Sequence, residues 1–429
     1  MSEKNSHKTY FSKDNLHQYV KTFSFPRLCG TEGEKKAVAL AIKTFDAIGF
    51  NKNEIKKEDF TFSDFYSTTL IQLIALISLT STILLVISLY IYAFISILIL
   101  GLMIIFAYLI TKSLRHPEKP GFWGKYYGNT IPASNIFVKI PAINISEKDA
   151  GNIIISAHLD SKSQTFKTLW RILLYKVWLF GGLWLGVVYL ILLIYNLAND
   201  YVNLLYLILP NITGLTFLIL NLSLIVLTIL VSLSNIILMF LNTHNKSPGA
   251  LDNSTGMAVV FELSSYFLKH KLNNFNLWFC QFSAEELGTM GSRVFVNKYE
   301  NQFIKGKIFQ INFDMVSVAS HKKGGVGYFK SNGILHRKEI APVLSNYLEI
   351  AAKEENFNIK GFHLSTGAHT DCVPFHLRGY NAIDLTTPRA ARYTHTEEDT
   401  PDKVNPQVLL EACLITKNVI LRLDNDFKF

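Results

Sequence analysis

The sequence predicts an α/β fold, one sheet with helices on both faces, interrupted by about four helices of membrane-spanning character. Three observations predict it. Of the 429 residues, 49% are hydrophobic and only 17% are charged, against about 25% charged in average soluble domains. The apolar excess sits in two blocks. Once those are set aside, the remainder alternates strand and helix patterns. Disorder, collagen-like repeats and a disulfide scaffold are excluded by the apolar content, the 24 Gly and the 4 Cys. The length alone suggests two or three domains.

The first block, Leu70 to Ile110, contains no charged residue. A crossing needs about 20 apolar residues, so this block predicts two helices with a tight turn near Ser88 to Ala93. In the second block, Leu169 to Leu241, Ile172 to Leu197 suits one helix and carries Lys176 near one end. A polar break follows at Asn199, Asp200 and Asn203, and a short apolar run then meets Pro210, Asn211 and Gly214. Leu215 to Leu241 makes another span. Uncharged runs of this length read as lipid-facing rather than as core helices. The first residues, Met1 to Asn15, are polar, and no signal peptide is expected.

Charge flanks the blocks unevenly. Lys56, Lys57, Lys112, Arg115, Lys119 and Lys125 bracket the first, and Lys162, Lys167, Arg171 and Lys246 bracket the second. The loops near Ser88 to Tyr92 and Ala198 to Asn211 have no Lys or Arg. Short positive loops stay on the cytoplasmic side. The soluble segments are therefore expected on the cytoplasmic face, with an even number of crossings per block. That makes Leu204 to Pro210 a re-entrant or interfacial piece. The formal charge of +9 is then mostly juxtamembrane bias, and no aromatic–basic interleaving points to nucleic acid. The expected organisation is one soluble domain in three pieces (1–66, 112–168 and 242–429), with membrane hairpins at 67–111 and 169–241.

In the soluble pieces, Glu34 to Ile48 places Ala37, Val38, Ala41, Ile42, Phe45 and Ile48 at helical spacing. Helices are also predicted over Ser254 to His270, Val294 to Tyr299, Ile340 to Glu355 and Pro406 to Leu421. Ile153 to Ser156, Leu277 to Phe282 and Ile308 to Phe313 are short apolar runs with strand character. Such alternation argues for a sheet covered on both faces.

Each of these strands runs into acid or imidazole. Ser156 leads to Ala157-His158-Leu159-Asp160, Phe282 to Ser283-Ala284-Glu285-Glu286, and Phe313 to Asp314. Sites in open α/β sheets form beyond the carboxyl ends of strands, so these residues are expected at one edge. Asp252 opens a helix, and His395 lies in a loop rich in Thr and charge. Histidine with several carboxylates, no Cys being required, suits zinc or a similar divalent ion. Carboxylates can also bridge paired ions. His158 and Asp160 share a face of an extended segment, so Asp160 can accept the second ring N–H of His158. Glu285 and Glu286 point apart, letting one bind metal and the other move a proton. Each feature alone has an ordinary reading: a chance His-x-Asp, first-turn charges at a helix dipole, a helix cap, a solvated loop histidine. Their joint order carries the argument.

That order resembles the M28 family of zinc peptidases. The resemblance rests on Pro26-Arg27, Gly30-Thr31-Glu32-Gly33-Glu34, Ser134-Asn135-Ile136, Ala157-His158-Leu159-Asp160-Ser161, Pro248 to Gly256, Ser283 to Gly288 with Gly291-Ser292, Asp314, Tyr393-Thr394-His395-Thr396 and Asp399-Thr400. It implies a three-layer α/β/α zinc-exopeptidase fold with a central mixed sheet. It also implies two zinc ions, one held by His158, Asp252 and Asp314 and the other by Asp252, Glu286 and His395, with Asp252 bridging. Glu285 would be the general base and Asp160 would orient His158. Family members commonly have a cis peptide after the bridging Asp, here Asp252-Asn253. Two departures stand out. Cys372 in Thr370-Asp371-Cys372-Val373-Pro374-Phe375 replaces a histidine that helps shape the substrate pocket, and both apolar blocks split the peptidase sequence.

The expected activity is an aminopeptidase acting on peptides, anchored in membrane lipid, with its site near the membrane surface because the second block begins a few residues after Asp160. Carboxypeptidase-like or glutaminyl-cyclase-like chemistry on the same fold, a non-catalytic receptor or scaffold, and a transporter with an accessory soluble domain remain open. Against the receptor, every ligand is present. Against the transporter, the apolar helices carry no buried charge of the kind that marks a substrate pathway. The sequence gives no oligomeric state. Cys29, Cys280, Cys372 and Cys413 lack metal-type spacing and suit a reducing compartment.

Overall fold

The computed structural model of the protein describes residues 10–67, 69–114, 117–119, 125, 127–201, 214–318, 325–333, 336–364 and 370–427. The segment Leu204 to Pro210, expected to be re-entrant, lies outside the described residues. The chain divides into two compact units, Met1–Ser63 with Thr130–Gln164 and Thr243–Phe429, and Asp64–Asn129 with Thr165–Asn242.

The first unit is built on a mixed sheet. Its main strands are β1 (Lys56–Ser63), β2 (Thr130–Ile140), β3 (Gly151–His158), β4 (Phe275–Phe282), β5 (Ile308–Phe313), β6 (Gly327–Asn332), β7 (Lys360–His363) and β8 (Asn381–Thr386). They lie in the order β1-β2-β4-β3-β5-β8-β6-β7, with the two-residue strand Lys338–Glu339 beside β6. The four central strands β4, β3, β5 and β8 run parallel. β1, β2 and β4 pair antiparallel in succession.

Parallel strands need cover on both faces, and β3 shows why its sequence is a continuous apolar run. Ile153, Ile155 and Ala157 enter the core under α1 (Lys13–Phe23), α2 (Glu32–Ile48) and the later helices Thr255–Lys269, Pro342–Glu354 and Pro406–Asp426. Ile154 faces the other way, into a core with Trp278, Phe282, Phe295 and Phe375. Each such side chain, fully buried, contributes about 1.5–3 kcal/mol. The architecture is thus three layers, α/β/α. The helices at 254–270, 340–355 and 406–421 predicted from spacing appear within a few residues of those limits, and the one at 294–299 begins four residues earlier, at Met290. Helix α1 and strands β1, β6, β7 and β8 are additional to the sequence reading.

The second unit holds α3 (Thr69–Ile91), α4 (Ala93–Leu114), α5 (Thr168–Lys176), α6 (Gly182–Tyr201) and α7 (Gly214–Met239). A π-helical turn, Val177–Gly181, joins α5 to α6. Four helices, Thr69–Ile91, Ala93–Ser113, Thr168–Ala198 and Gly214–Met239, are long and apolar enough to cross a membrane. The first hairpin turns at Tyr92, inside the expected range. Leu85, Leu89, Leu192, Leu224 and Val231 pack the interior. Three polar side chains there pair with each other: Ser78 Oγ accepts from Trp178 Nε1 and Asn235 Nδ2, each at 3.1 Å. Pairing of this kind is required where no water competes. Ile91 and Ile104 are 75% and 71% exposed, an outward apolar surface of the sort lipid would cover.

Candidate metal centre

The sheet register assembles the site. His158 ends β3 opposite Phe282, the last residue of β4. Ala157 lies opposite Phe313, the last residue of β5. Ser283–Glu286 and Asp314 therefore emerge at the same level as His158. Beneath them a polar ladder crosses the strands. Ser156 Oγ donates to Asn312 Oδ1 at 2.8 Å, Asn312 Nδ2 to Asp384 Oδ1 at 2.8 Å, and Thr370 Oγ1 to Asp384 Oδ2 at 2.8 Å.

Asp252 arrives on the loop that enters α8 (Thr255–Lys269). Gly249 turns this loop with φ +63°, and a Cβ there would lie 2.5 Å from Ser161 and 2.6 Å from the Asp252 carbonyl. Only glycine fits both the angle and the space. Asp399 Oδ1 accepts from Leu251 N at 2.6 Å and its Oδ2 from Asp252 N at 3.2 Å. The Asp252–Asn253 peptide is cis. Asn253 is not a simple cap: its Oδ1 accepts from Gly256 N at 3.0 Å while its Nδ2 donates to the Phe313 carbonyl at 2.7 Å. This ties the loop to the end of β5.

The seven sequence-predicted site residues, His158, Asp160, Asp252, Glu285, Glu286, Asp314 and His395, come together and are 0–9% exposed. Two groups share Asp252, namely His158–Asp252–Asp314 and Asp252–Glu286–His395, each with ligand atoms within 4.8 Å of one another. The carboxylate of Asp252 faces both ways. Its Oδ1 is 3.1 Å from His158 Nε2 and its Oδ2 3.2 Å from His395 Nε2. Asp314 Oδ1 is 3.5 Å from His158 Nε2, and Glu286 Oε2 is 3.1 Å from His395 Nε2.

Among the described residues, His158 Nε2, Asp314 Oδ1 and Glu286 Oε1 are buried with no hydrogen-bond partner. Each orphan of this kind costs about 1–3 kcal/mol. Nitrogen and oxygen donors converging in this way fit a divalent cation in each group, and they fit zinc chemistry.

One orientation differs from the sequence reading. His158 Nδ1 lies 3.0 Å from the backbone carbonyl of Asp160, whereas the Asp160 carboxylate is 3.7 Å away. That carboxylate instead accepts Glu285 N at 3.1 Å and Glu286 N at 3.2 Å. The chain bends after His158, so the two-residue alternation of an extended strand no longer applies.

The electrostatics follow from burial. Burial pushes the Glu285 carboxyl well above its ordinary range, reinforced by Glu286, Asp314 and Asp371 and opposed by His158. Burial likewise raises Asp314 to about 6, with Asp252 adding to the effect. Burial opposes the ionised form of Glu286 too, but His395 and Lys162 bring it down to about 2. Both histidines are buried, which disfavours their charged forms. The surrounding carboxylates outweigh that and hold both above the ordinary value.

Several supporting residues carried no assigned role in the sequence. Arg27 is fully buried. Its Nε donates to Leu159 O at 2.7 Å, Nη1 to Phe23 O at 2.8 Å and Pro248 O at 2.7 Å, and Nη2 to Gly249 O at 2.9 Å. It joins the loop of Asp160 to the loop of Asp252. The Pro26-Arg27 motif was its only signal. Lys162, read as a flanking charge, has its Nζ 2.9 Å from Glu286 Oε2. Cys372 is fully buried with Phe282 and Phe375, so it offers no surface to a substrate.

Residues 238–420 match the model of peptidase family M28. A curated relative, aminopeptidase YwaD of Bacillus subtilis (strain 168), is 28% identical over 173 residues, 39% of this chain and 36% of that protein. The chain thus matches about a third of that relative's length. An aminopeptidase from Aneurinibacillus sp. strain AM-1 superposes with a TM-score of 0.54 at 14% identity, covering 96% of this chain and 93% of that one. A glutaminyl cyclase from an Acidobacteriales bacterium gives 0.54 at 14% identity over 100% and 99%. BSAP, a zinc aminopeptidase from Bacillus subtilis, gives 0.52 at 13% identity over 96% and 95%. The chain therefore carries a peptidase family M28 match over its C-terminal part, on a fold like that of zinc aminopeptidases and glutaminyl cyclases.

Proposed function

We propose that the chain is a two-zinc metallo-exopeptidase, an aminopeptidase anchored in a membrane by its four apolar helices. The observation that carries this reading is the Asp252 carboxylate, whose two oxygens face two separate ligand groups with Glu285 beside them. When bound, zinc ions polarise a scissile carbonyl and acidify water.

The protein's own residues do the rest. Glu285, buried and raised in pKa, takes a proton from the attacking water and returns it to the leaving amine. Asp160 fixes the backbone of Glu285 and Glu286, so the base keeps its aim. Arg27 and Asp399 hold the loops that present Asp160 and Asp252. The peptide's free N-terminus binds next to the ligand groups, which restricts cleavage to the chain end. The flanking Lys and Arg residues support a cytoplasmic catalytic unit.

Glutaminyl-cyclase-like chemistry is the second reading, because a solved cyclase shares the fold across 99% of its length. The test is an assay of wild type and Glu285→Gln against free, blocked and N-terminal-glutamine peptides, with and without chelator. Release of N-terminal residues that is lost in both the variant and the chelated enzyme is expected. Activity surviving both, or ring closure of N-terminal glutamine alone, overturns the aminopeptidase reading.

A further inference from the structure

The two ligand groups are not equivalent, and the difference is Lys162. Its Nζ lies 2.9 Å from Glu286 Oε2 and donates to the Glu286 backbone carbonyl at 3.0 Å. The same Oε2 is 3.1 Å from His395 Nε2, while Oε1 is buried without a partner. The Lys162 side chain is only 13% exposed. Its backbone is held on both sides. Ser161 N donates to Arg27 O at 3.3 Å, and Ser163 Oγ donates to His244 O at 3.0 Å. Among the described residues, the ion-pair partners of Asp252 and Asp314 are histidines only, with no lysine or arginine.

We propose that Lys162 is an internal counter-cation of the Asp252–Glu286–His395 group, so that the two groups load with metal unequally. Resting on the two-metal reading above, His158–Asp252–Asp314 fills first and Asp252–Glu286–His395 second, more weakly. A cation held by Glu286 sits within a few ångströms of the ammonium. At an effective dielectric constant of about 20, unit charges about 4 Å apart repel by several times the thermal energy. Lys162 also pairs with Oε2, the Glu286 oxygen that lies next to His395 Nε2, and so competes for one of the oxygens this group offers. The lysine therefore neutralises Glu286 while the second group is empty and weakens that group's hold on its ion. Occupancy of the second group, and with it the two-metal state, then depends on the ambient metal concentration.

The test uses the full chain in detergent, stripped with chelator and titrated with Zn2+ against a chromophoric competitor, with bound metal counted by elemental analysis. Wild type is expected to bind two ions, the second about tenfold or more weakly than the first. Lys162→Met is expected to tighten the second step by about tenfold or more and to leave the first within about threefold. Lys162→Arg is expected to keep the gap. Thermal melting verifies folding, and Lys162→Gln gives the same reading if the Met variant does not fold. A Lys162→Met protein whose second step is unchanged or weaker overturns the inference while leaving the two-metal reading intact. Wild type that holds fewer than two ions at saturation overturns both.

Discussion

Asp160→Asn separates two jobs that one carboxylate next to a metal-binding histidine can have. In the structure, the Asp160 carboxylate accepts the backbone N–H groups of Glu285 and Glu286 at 3.1 and 3.2 Å. His158 Nδ1 instead meets the Asp160 backbone carbonyl at 3.0 Å. Asparagine keeps that carbonyl and one side-chain acceptor, but it turns an NH2 toward the other backbone N–H. The loss is one hydrogen bond to a charged group, about 1.5–3 kcal/mol, plus an unsatisfied buried amide at about 1–3 kcal/mol. Together these amount to roughly 3–5 kcal/mol, or about a 100- to 4,000-fold effect if it falls wholly on the aim of Glu285. Because the backbone carbonyl that His158 Nδ1 meets is kept, metal affinity should change little compared with kcat. The assay pairs kcat with zinc affinity measured by competition on the same preparations. The expected outcome is a large fall in kcat at nearly constant zinc affinity. A fall of about 10- to 100-fold in metal affinity, the usual effect of removing a partner of a ligating histidine, with kcat preserved at saturating zinc, would refute this assignment.

Two further outcomes follow from the same geometry. Arg27→Met strips the charged donor from the carbonyls of Leu159, Phe23, Pro248 and Gly249. Leaving several of these unsatisfied costs on the order of 5 kcal/mol, a large fraction of the roughly 5–15 kcal/mol that stabilises a domain, so a drop in the melting temperature of the sheet-bearing unit is expected, and an unchanged melt would count against the role given to Arg27. Both His158 and His395 hold their protons to higher pH than free histidine, since carboxylates outweigh burial. A metal must displace those protons, so zinc affinity should weaken as pH falls, with proton release visible as buffer-dependent binding heat. Heats independent of the buffer would contradict the raised values.

The sequence displayed the site more fully than it displayed the fold. β3, β4 and β5 were legible because strands buried on both faces are continuous apolar runs, and their ends were legible because a His or carboxylate interrupts each run. α8 and the helices Pro342–Glu354 and Pro406–Asp426 were legible from periodicity. β1 was not, because it is largely an exposed edge: Lys56, Lys57, Asp59 and Thr61 lie along it. The Asp160 clamp was illegible for a different reason. Which atom of a residue meets a neighbour depends on a bend after His158 that no residue type announces. Lys162 looked like a topogenic charge because its spacing from Glu286, 124 residues, carries no local signal.

The strand order β1-β2-β4-β3-β5-β8-β6-β7 has a consequence for biosynthesis. As the chain emerges, β3 has neither neighbour, for β4 and β5 are both still to be made. More than a hundred residues, two apolar helices among them, separate its end from β4. The bare edges of β2 and β3 must therefore wait unpaired while those hydrophobic segments are dealt with, a period in which such edges invite wrong partners. The ligand set is spread in the same way, from His158 to His395, and no stretch that emerges early contains either complete group. A nascent or truncated chain that stops before Asp314 consequently holds neither complete ligand group, and one that stops before His395 lacks the second.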